Sequence, residues 1–307
     1  TDIDFHGTYQ PPAVVWINSP GYGGQGKTWA VITTSGMSDA YGDVYLYIID
    51  ADNGNTLPYG KIKLNTGSGT MAQQALGVWG SPVAIDSDED GYADRVYVAD
   101  TNGRVWKHYI NGANYNRCLV ANVGPEPIFV TPAIKVARDA GTGQRVVAFY
   151  FGTGDHPERN DTAVPPYHFY GFVDRDADGA CSLAENIYAM GLGVDEKIWA
   201  DAFISGDEVY VGSSKGNKAD ICDEDTSNPG RIYILSVDAD SSGLPIQISP
   251  PVSAPGNVIS GLQVYDEHLF VNALGGKTTI LGNTKWNNTS ASSASSSGVE
   301  DVYWKEE

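Results

Sequence analysis

Short apolar runs, separated by turns of glycine, asparagine and aspartate, follow one another along the chain. Many of these runs are rich in valine, isoleucine and tyrosine or alternate apolar with polar residues, a pattern typical of β-strands. The stretch 81–103, SPVAIDSDEDGYADRVYVADTNG, shows the recurring unit of a strand, a turn, a second strand and a closing glycine. Stretches of helical composition are few, so the pattern predicts an all-β protein.

The units recur at a nearly constant spacing. Val44, Val105, Phe169 and Ile232 occupy equivalent places in four apolar strands that run into turns, at separations of 61, 64 and 63 residues. A second hairpin precedes each of these strands, and a fifth copy begins near residue 260. Two hairpins make a four-stranded antiparallel sheet, and a series of such sheets buries its faces by stacking radially. We therefore predict a β-propeller with five visible repeats, five to seven blades being possible; a flat sandwich is the alternative that the regular spacing disfavours.

The chain divides by composition into two parts. Residues 1–289 carry the blade pattern and form the predicted propeller domain. Residues 290–307 begin with the low-complexity stretch SASSASSSG and end in a short segment containing Val-Tyr-Trp. Serine-rich segments of this kind are typical of flexible linkers, so we expect a flexible tail.

A glycine-rich stretch at residues 21–28, GYGGQGKT, matches the P-loop pattern of nucleotide-binding proteins. A P-loop needs a helix directly after it, because the phosphates lie at the helix N-terminus. The residues that follow, TWAVITT, are mostly β-branched or aromatic and predict a strand. The stretch is therefore interpreted as a hairpin loop, without nucleotide binding.

The composition narrows the classes of partner. The chain has 307 residues, a formal net charge of −19 and a pI near 4.4. Such an acidic surface disfavours nucleic acid and anionic membranes and favours cations. No apolar run is long enough for a membrane-spanning helix, so no membrane insertion is expected. The chain begins without methionine or a signal peptide, which suggests a mature or trimmed chain.

Three cysteines, Cys118, Cys181 and Cys222, have no C-x-x-C spacing, so they indicate neither a zinc site nor haem attachment. In an oxidising compartment one pair could form a disulfide and leave one thiol over. The slightly favoured pair at this point is Cys181 with Cys222.

The sharpest chemical signal is the acidic turn 86–94, DSDEDGYAD. Calcium takes six to eight hard oxygen ligands, which a tight turn supplies from side chains at loop positions 1, 3, 5 and 9 and from a carbonyl at position 7. Those positions are held here by Asp86, Asp88, Asp90, Asp94 and, for the carbonyl, Tyr92. Position 12 is Tyr97 instead of a bidentate glutamate, and the flanking segments are strands, so the turn is not an EF-hand. We predict a calcium site, with an ordinary acidic turn as the alternative.

A second acidic turn, 174–185 or DRDADGACSLAE, fits the complete D-x-D-x-D-G-x5-E pattern. Its predicted ligands are Asp174, Asp176, Asp178, the carbonyl of Ala180, Ser182 and Glu185. The alternative is a solvated turn, because the related turns DADNGN and DADSSG lack the later ligands. Magnesium is disfavoured at both turns, since it prefers fewer protein ligands. Both turns should lie on one face of the propeller, because each joins two strands of a hairpin.

Signals for catalysis are weak by comparison. His156 follows Asp155, but no fixed partner for a general base is evident among five scattered histidines. Neither G-x-S-x-G nor H-E-x-x-H occurs. We therefore predict a protein without enzyme activity. A quinoprotein-like dehydrogenase is the less favoured alternative, because the adjacent cysteine pair of such enzymes is absent here.

Two stretches carry a family resemblance. Residues 81–107 combine an S-P strand, a D-x-D-x-D-G turn, an aliphatic-tyrosine strand and a G-x-x-W ending, and residues 146–161 contain an aromatic F-G-T-G strand followed by a loop that reaches an aspartate. In both, the sequence resembles the C-terminal propeller of the PilY-type type IV pilus proteins. The resemblance covers residues 81 to about 178, and it implies the calcium ligands Asp86, Asp88, Asp90, Tyr92 and Asp94.

The resemblance also implies a function. It suggests a secreted or surface-exposed, pilus-associated protein that acts in pilus assembly, adhesion and twitching motility under calcium control. Its expected partners are pilins or minor pilins and a host or surface receptor. Members of the family are generally longer and have about seven blades, whereas five repeats are visible here. A structural subunit that self-associates into an extracellular filament is the alternative.

Overall fold

The computed structural model describes residues 10–18, 26–36, 44–64, 77–110, 117–139, 141–155, 166–176, 180–215, 229–254, 256–258, 261–265, 268–273, 277–281 and 292–294. All regular secondary structure in these ranges is β-strand. A search of the same ranges finds no helix with the length and apolar character needed to cross a membrane.

Twenty strands form five four-stranded antiparallel sheets, which we call blades 1 to 5. Blade 1 contains β1 (Ala13–Asn18), β2 (Lys27–Thr34), β3 (Tyr45–Asp50) and β4 (Thr56–Lys63). Blade 2 contains β5 (Val83–Ile85), β6 (Arg95–Asp100), β7 (Arg104–Tyr109) and β8 (Arg117–Asn122). Blade 3 contains β9 (Ala133–Arg138), β10 (Arg145–Gly152), β11 (His168–Asp174) and β12 (Glu185–Gly191).

The C-terminal half continues the same plan. Between blades 3 and 4, β13 (Glu196–Lys197) pairs with β16 (Ser214–Lys215) in a small two-stranded sheet. Blade 4 contains β14 (Phe203–Ser205), β15 (Glu208–Gly212), β17 (Arg231–Ala239) and β18 (Pro245–Ser253). Blade 5 contains β19 (Gln263–Tyr265), β20 (His268–Ala273), β21 (Lys277–Leu281) and β22 (Ser292–Ala294).

The predicted propeller architecture is confirmed. Each blade keeps its strands in chain order. The four equivalent positions Val44, Val105, Phe169 and Ile232 lie at the start of the third strand of blades 1 to 4 or, for Val44, directly before it, and all four are buried. The strand predicted after the P-loop-like stretch is β2, which begins at Lys27 and pairs antiparallel with β1. Residues 21–25 of that stretch lie outside the described ranges.

The core lies between successive blades. Every residue of β6 is buried, and its side chains alternate between two clusters: Val96 and Val98 pack toward blade 1, whereas Tyr97 and Ala99 pack toward blade 3. A strand covered on both sides needs apolar residues on both faces, which explains the unbroken apolar run. A third cluster joins blades 4 and 5. Radial stacking therefore buries both faces of a blade.

The disulfide differs from the favoured expectation. Cys118 of β8 is bonded to Cys181, which precedes β12, and their Cα atoms are 5.2 Å apart. The expectation of a Cys181–Cys222 bond was wrong, because the chain before β12 runs along the edge of blade 2. The amide of Ala184 donates to the carbonyl of Val120 at 2.8 Å, and this bond places Cys181 beside β8. Residue 222 lies outside the described ranges.

The fifth sheet includes a strand from the serine-rich segment. β22 pairs with β21 through Ser292, Ser293 and Ala294. The predicted domain boundary at residue 289 stays a prediction, and the rest of the predicted tail, 295–307, lies outside the described ranges.

Candidate metal centre

The turn 86–94 brings three carboxylates together at the tip of the first hairpin of blade 2. β5 ends at Ile85, and the amide of Asp94 donates to the Ile85 carbonyl at 2.9 Å, which closes the turn. Asp86, Asp88 and Asp90 each offer a carboxylate oxygen, and these oxygens lie within 4.8 Å of one another. In the described part of the chain none of these three carboxylates forms an ion pair.

Backbone amides of the turn orient these carboxylates. Asp86 accepts hydrogen bonds from the amides of Asp90, at 3.1 Å, and Gly91, at 2.7 Å. Asp88 accepts one from the Asp90 amide at 3.2 Å, and Asp90 accepts one from the Tyr92 amide at 2.9 Å. Gly91 has a φ of +92°, which L side chains rarely adopt. Its conformation lets the chain fold back so that carboxylates from successive positions converge.

Asp94, the predicted ligand at position 9, lies beneath the turn. Its side chain is 3% exposed, one oxygen accepts the Ser87 amide at 2.8 Å, and the other accepts the Ser87 hydroxyl. It is not part of the group of three converging carboxylates. Asp94 thus holds the base of the turn, and its role as a ligand stays a prediction.

Tyr92, whose carbonyl is the predicted ligand at position 7, anchors the turn to blade 1. Its ring lies 6.2 Å from that of Trp16, and the Lys27 ammonium lies 4.6 Å from the Tyr92 ring centroid. The Ala93 amide also donates to the Trp16 carbonyl at 2.8 Å. The turn is therefore attached to its neighbour through its C-terminal half, and the acidic half remains outside this contact.

Charge repulsion within the turn is incompletely compensated. Partial desolvation raises the pKa of Asp88, and the contact with Asp86 and the repulsion from Asp90 and Asp94 raise it further, although a backbone hydrogen bond opposes them. Arg145 of blade 3 donates to the Asp88 carbonyl and pairs with Glu89. It therefore fixes the turn against blade 3 without binding the three carboxylates. Such a cluster of hard oxygen atoms is suited to a divalent cation.

The turn 174–185 has a different environment. Asp174 and Asp176 both contact the ammonium of Lys107 in β7, at 2.8 and 3.1 Å. The Ala180 carbonyl accepts the Tyr109 hydroxyl at 3.1 Å, and Glu185 accepts Nε of Arg175 at 2.9 Å. These residues are thus assembled around protein donors.

Two predicted ligands of this turn remain, Ser182 and Asp178. The Ser182 amide donates to Asp176 at 2.7 Å. Asp178 lies outside the described ranges. The second calcium site stays a prediction.

Burial shapes the protonation of this second cluster. Burial alone would lower the pKa of Lys107, but its hydrogen bond to Asp174 raises the pKa above its ordinary value. Burial alone would raise the pKa of Asp176, but the Ser182 amide and the Lys107 ammonium hold it below its ordinary value. Both groups therefore favour their charged forms. The pKa of Tyr97 is raised by burial and by Asp174, to which its hydroxyl donates at 2.8 Å.

The two turns lie along the same edge of the blades, as predicted. Arg145, at the start of β10, contacts the turn 86–94, and Arg175, just after β11, pairs with Asp139 in the turn before β10. One arginine of blade 3 thus reaches the first acidic turn, and the other bridges two turns of its own blade.

Comparison with known proteins identifies relatives of the chain. A type IV pilus biogenesis factor PilY1 homolog of Xylella fastidiosa is 29% identical over 153 residues, which cover 45% of this chain and 10% of that protein. The crystal structure of the Pseudomonas aeruginosa PilY1 C-terminal domain superposes with a TM-score of 0.55 at 16% identity, covering 94% of this chain and 72% of the other. The chain is thus similar to PilY-type proteins in sequence and in fold. No protein-family model matches it.

The aligned part spans about a tenth of the curated relative, and the likeness to the P. aeruginosa domain concerns the fold. The resemblance to PilY-type proteins predicted from residues 81–107 and 146–161 is confirmed by both comparisons.

The sequence analysis missed the partners that the propeller brings to its acidic turns. Lys107, Tyr97 and Tyr109 lie on strands of blade 2, about 70 residues before the turn that they contact in blade 3. One signal was present: in RVWKHY the lysine occupies the same face as Val105 and Tyr109, which alternation directs into the core. A lysine at such a position requires an acidic partner.

Proposed function

We propose that this chain is a calcium-binding, non-enzymatic β-propeller of the type IV pilus system. The observation that carries the calcium part is the convergence of Asp86, Asp88 and Asp90 at one turn, with no ion pair to them in the described residues. Three carboxylates held so close together repel one another, and a divalent cation would remove that repulsion while supplying the coordination that calcium prefers.

Calcium at this turn would act on the junction of three blades. The turn belongs to blade 2, contacts blade 1 through Tyr92 and Trp16, and contacts blade 3 through Arg145. An ion that orders the acidic half of the turn would also fix the backbone carbonyl of Asp88, to which Arg145 donates. The role proposed for calcium is therefore structural.

The pilus part of the proposal rests on the relatives and on the surface chemistry. The Xylella fastidiosa relative is a type IV pilus biogenesis factor. We infer a pilus-associated, extracellular location, participation in pilus assembly, adhesion and twitching motility, and pilins or minor pilins as partners, with a host or surface receptor as a further partner. The net charge of −19 fits a protein that works among divalent cations rather than on nucleic acid.

Calcium binding is tested with Asp90→Asn and a matched control, Asp240→Asn. Asp240 also caps a turn, accepting the amides of Ser242 and Leu244, but it is not part of a carboxylate cluster in the described residues. Metal content, isothermal titration with calcium and melting temperature with and without chelator are measured on each protein. We expect one ion and a calcium-dependent rise in melting temperature in the unmodified chain and in Asp240→Asn, and neither in Asp90→Asn. Absence of calcium binding in the unmodified chain would refute this part.

The pilus role is tested in cells of the source organism. The gene is deleted and complemented with the unmodified protein or with Asp90→Asn, and surface piliation, adhesion and twitching are recorded alongside pull-down of pilins. We expect the unmodified protein to restore piliation and Asp90→Asn to restore it incompletely. Normal piliation and twitching in the deletion strain would contradict the role.

A further inference from the structure

The turn 174–185 has the residue pattern of a calcium loop and, at the same time, a lysine among its carboxylates. We propose that the Lys107 ammonium occupies the cation position of this turn, so that the native turn binds no metal and becomes a metal site only when the ammonium is removed. This inference concerns a different turn from the one proposed to bind calcium, and it does not depend on that turn.

The first two ligand positions of the loop are occupied by this ammonium. Its Nζ atom lies 2.8 Å from an oxygen of Asp174 and 3.1 Å from an oxygen of Asp176. Calcium–oxygen distances are about 2.3–2.6 Å, so an ion bound to the same two oxygens would overlap the ammonium. Lys107 is fully buried and Asp174 is 1% exposed. The ammonium therefore has no solvent into which it could move to make room for an ion.

The later ligand positions are also engaged by protein groups. The Ala180 carbonyl, at position 7, accepts the Tyr109 hydroxyl, and Glu185, at position 12, binds Arg175. The ring of Tyr109 lies 4.8 Å from the Lys107 ammonium, which further stabilises the cation. A metal ion would have to displace Lys107, Tyr109 and Arg175 together.

The charge of the cluster is compatible with a single internal cation. Two carboxylates face one ammonium, and three neutral donors share the remaining negative charge: the Tyr97 hydroxyl and the Asp176 amide donate to Asp174, and the Ser182 amide donates to Asp176. Lys107 and Tyr97 come from blade 2, whereas the two amides belong to the turn itself. The Cys118–Cys181 disulfide holds the same turn to blade 2 covalently. The turn is thus fixed between two blades by means that require no metal.

The first experiment counts calcium ions per chain by titration and by metal analysis of the purified chain. Asp176→Asn in the otherwise unmodified protein should leave the number of bound calcium ions unchanged. A loss of one ion on Asp176→Asn would overturn the proposal. This arm needs no variant of Lys107, and it decides the question even where removal of the buried lysine prevents folding.

The second experiment opens the site. Lys107→Met keeps an unbranched apolar side chain and removes the terminal ammonium, and it is combined with Asp90→Asn to silence the turn 86–94. Calcium, or terbium as a luminescent substitute, is titrated into Asp90→Asn alone, into the double variant and into the triple variant that adds Asp176→Asn. We expect a gain of one ion only in the double variant. A folded double variant that gains none would overturn the proposal, as would an Asp176-dependent ion in Asp90→Asn alone.

The outcomes separate this inference from the proposed function. Failure of the unmodified chain to bind calcium refutes the role of the turn 86–94, yet a calcium ion gained on Lys107→Met still supports the inference. Conversely, one ion lost on Asp90→Asn supports the proposed site, whatever happens at Lys107.

Discussion

The turns 86–94 and 174–185 contain the same D-x-D-x-D-G letters and differ in their surroundings. In the first turn, three carboxylates converge at a tip where Asp88 and Asp90 are exposed, and among the described residues no cation binds them. In the second, Asp174 and Asp176 lie against Lys107 beneath the edge of blade 2. A ligand pattern therefore specifies where carboxylates converge, but the neighbouring blade decides which cation they meet.

The difference follows from where each turn lies relative to the next blade. The turn 86–94 joins the first two strands of its blade, and its acidic half points away from the contact with blade 1. The turn 174–185 joins the last two strands, and its C-terminal half runs beside β8, where Ala184 bonds to Val120. Carboxylates enclosed between blades need a partner in the folded protein because burying an unpaired charge is costly. Exposed carboxylates can be neutralised by an ion from solution.

Removal of the Cys118–Cys181 disulfide, which holds the turn 174–185 to blade 2, should have the largest effect on the free energy of unfolding. The bond joins residues 63 positions apart, and closing a loop of that length stabilises a protein by about 4 kcal/mol in the chain-entropy model. We expect Cys118→Ser with Cys181→Ser to lower the free energy of unfolding by about that amount, as measured in urea. Cys222→Ser is the control, because Cys222 takes no part in this disulfide.

The calcium affinity of the same double variant tests whether the two turns are independent of each other. The Cys118→Ser/Cys181→Ser protein should keep the calcium affinity of the unmodified chain, since the disulfide does not touch the turn 86–94. A simultaneous loss of calcium affinity would show that the turns are coupled and would contradict their independence.

The sequence predicted well what local patterns determine. Alternation and repeat spacing identified the strands, the blades and the buried residues Val44, Val105, Phe169 and Ile232, because these features depend on neighbours within one hairpin or on its repetition. The contacts of Lys107 and the pairing of Cys118 with Cys181 were not found. Both join residues from different blades, more than 60 positions apart, and they depend on how one blade is placed against the next.

The strand that supplies Lys107 also carries a pH-sensitive residue. Burial lowers the pKa of His108 from 6.5 to about 4. Above pH 6.5 the histidine is neutral in both states; as the pH falls toward 4, the unfolded chain gains a proton that the folded chain does not. We therefore expect stability to decrease over this interval by about 3 kcal/mol from this residue alone.

The contribution of His108 to the pH dependence of stability is obtained by comparing the unmodified chain with His108→Gln. Urea unfolding of the unmodified chain and of His108→Gln is compared at pH 7 and near the lower end of the interval, so that the other titrating groups cancel. The loss on acidification should be smaller in His108→Gln. Equal losses in the two proteins would show that His108 takes up its proton in the folded state and would contradict this prediction.

The backbone of the turn 86–94 is tested at Gly91, where we expect a smaller loss of stability than from removal of the disulfide. Gly91 has a φ of +92° and no atom within 4 Å of an added Cβ, so Gly91→Ala introduces backbone strain without a clash. We expect a loss of about 1–2 kcal/mol in unfolding free energy together with weaker calcium binding.

Gly143→Ala is the matched control for Gly91→Ala. Gly143 also has a positive φ, +68°, and open space around an added Cβ, but it lies in the turn between β9 and β10. It should lose stability without any change in calcium affinity. If both variants bound calcium normally, the conformation of Gly91 would be unimportant for the proposed site.

The smallest expected effect concerns Arg145, which contacts the turn 86–94 as Lys107 contacts the turn 174–185. Arg145 and Glu89 remain 30% and 65% exposed, whereas Lys107 is fully buried. Water screens an exposed ion pair and salt weakens it further, so Arg145→Gln should cost only about 0.2–1 kcal/mol, and less at high salt. Urea unfolding at low and high salt, with Lys135→Gln as a control for another exposed pair, measures this difference. A loss of several kcal/mol that persists at high salt would show that Arg145 stabilises the protein as strongly as a buried lysine would. The turn 86–94 would then not differ from the turn 174–185 in its need for a protein cation.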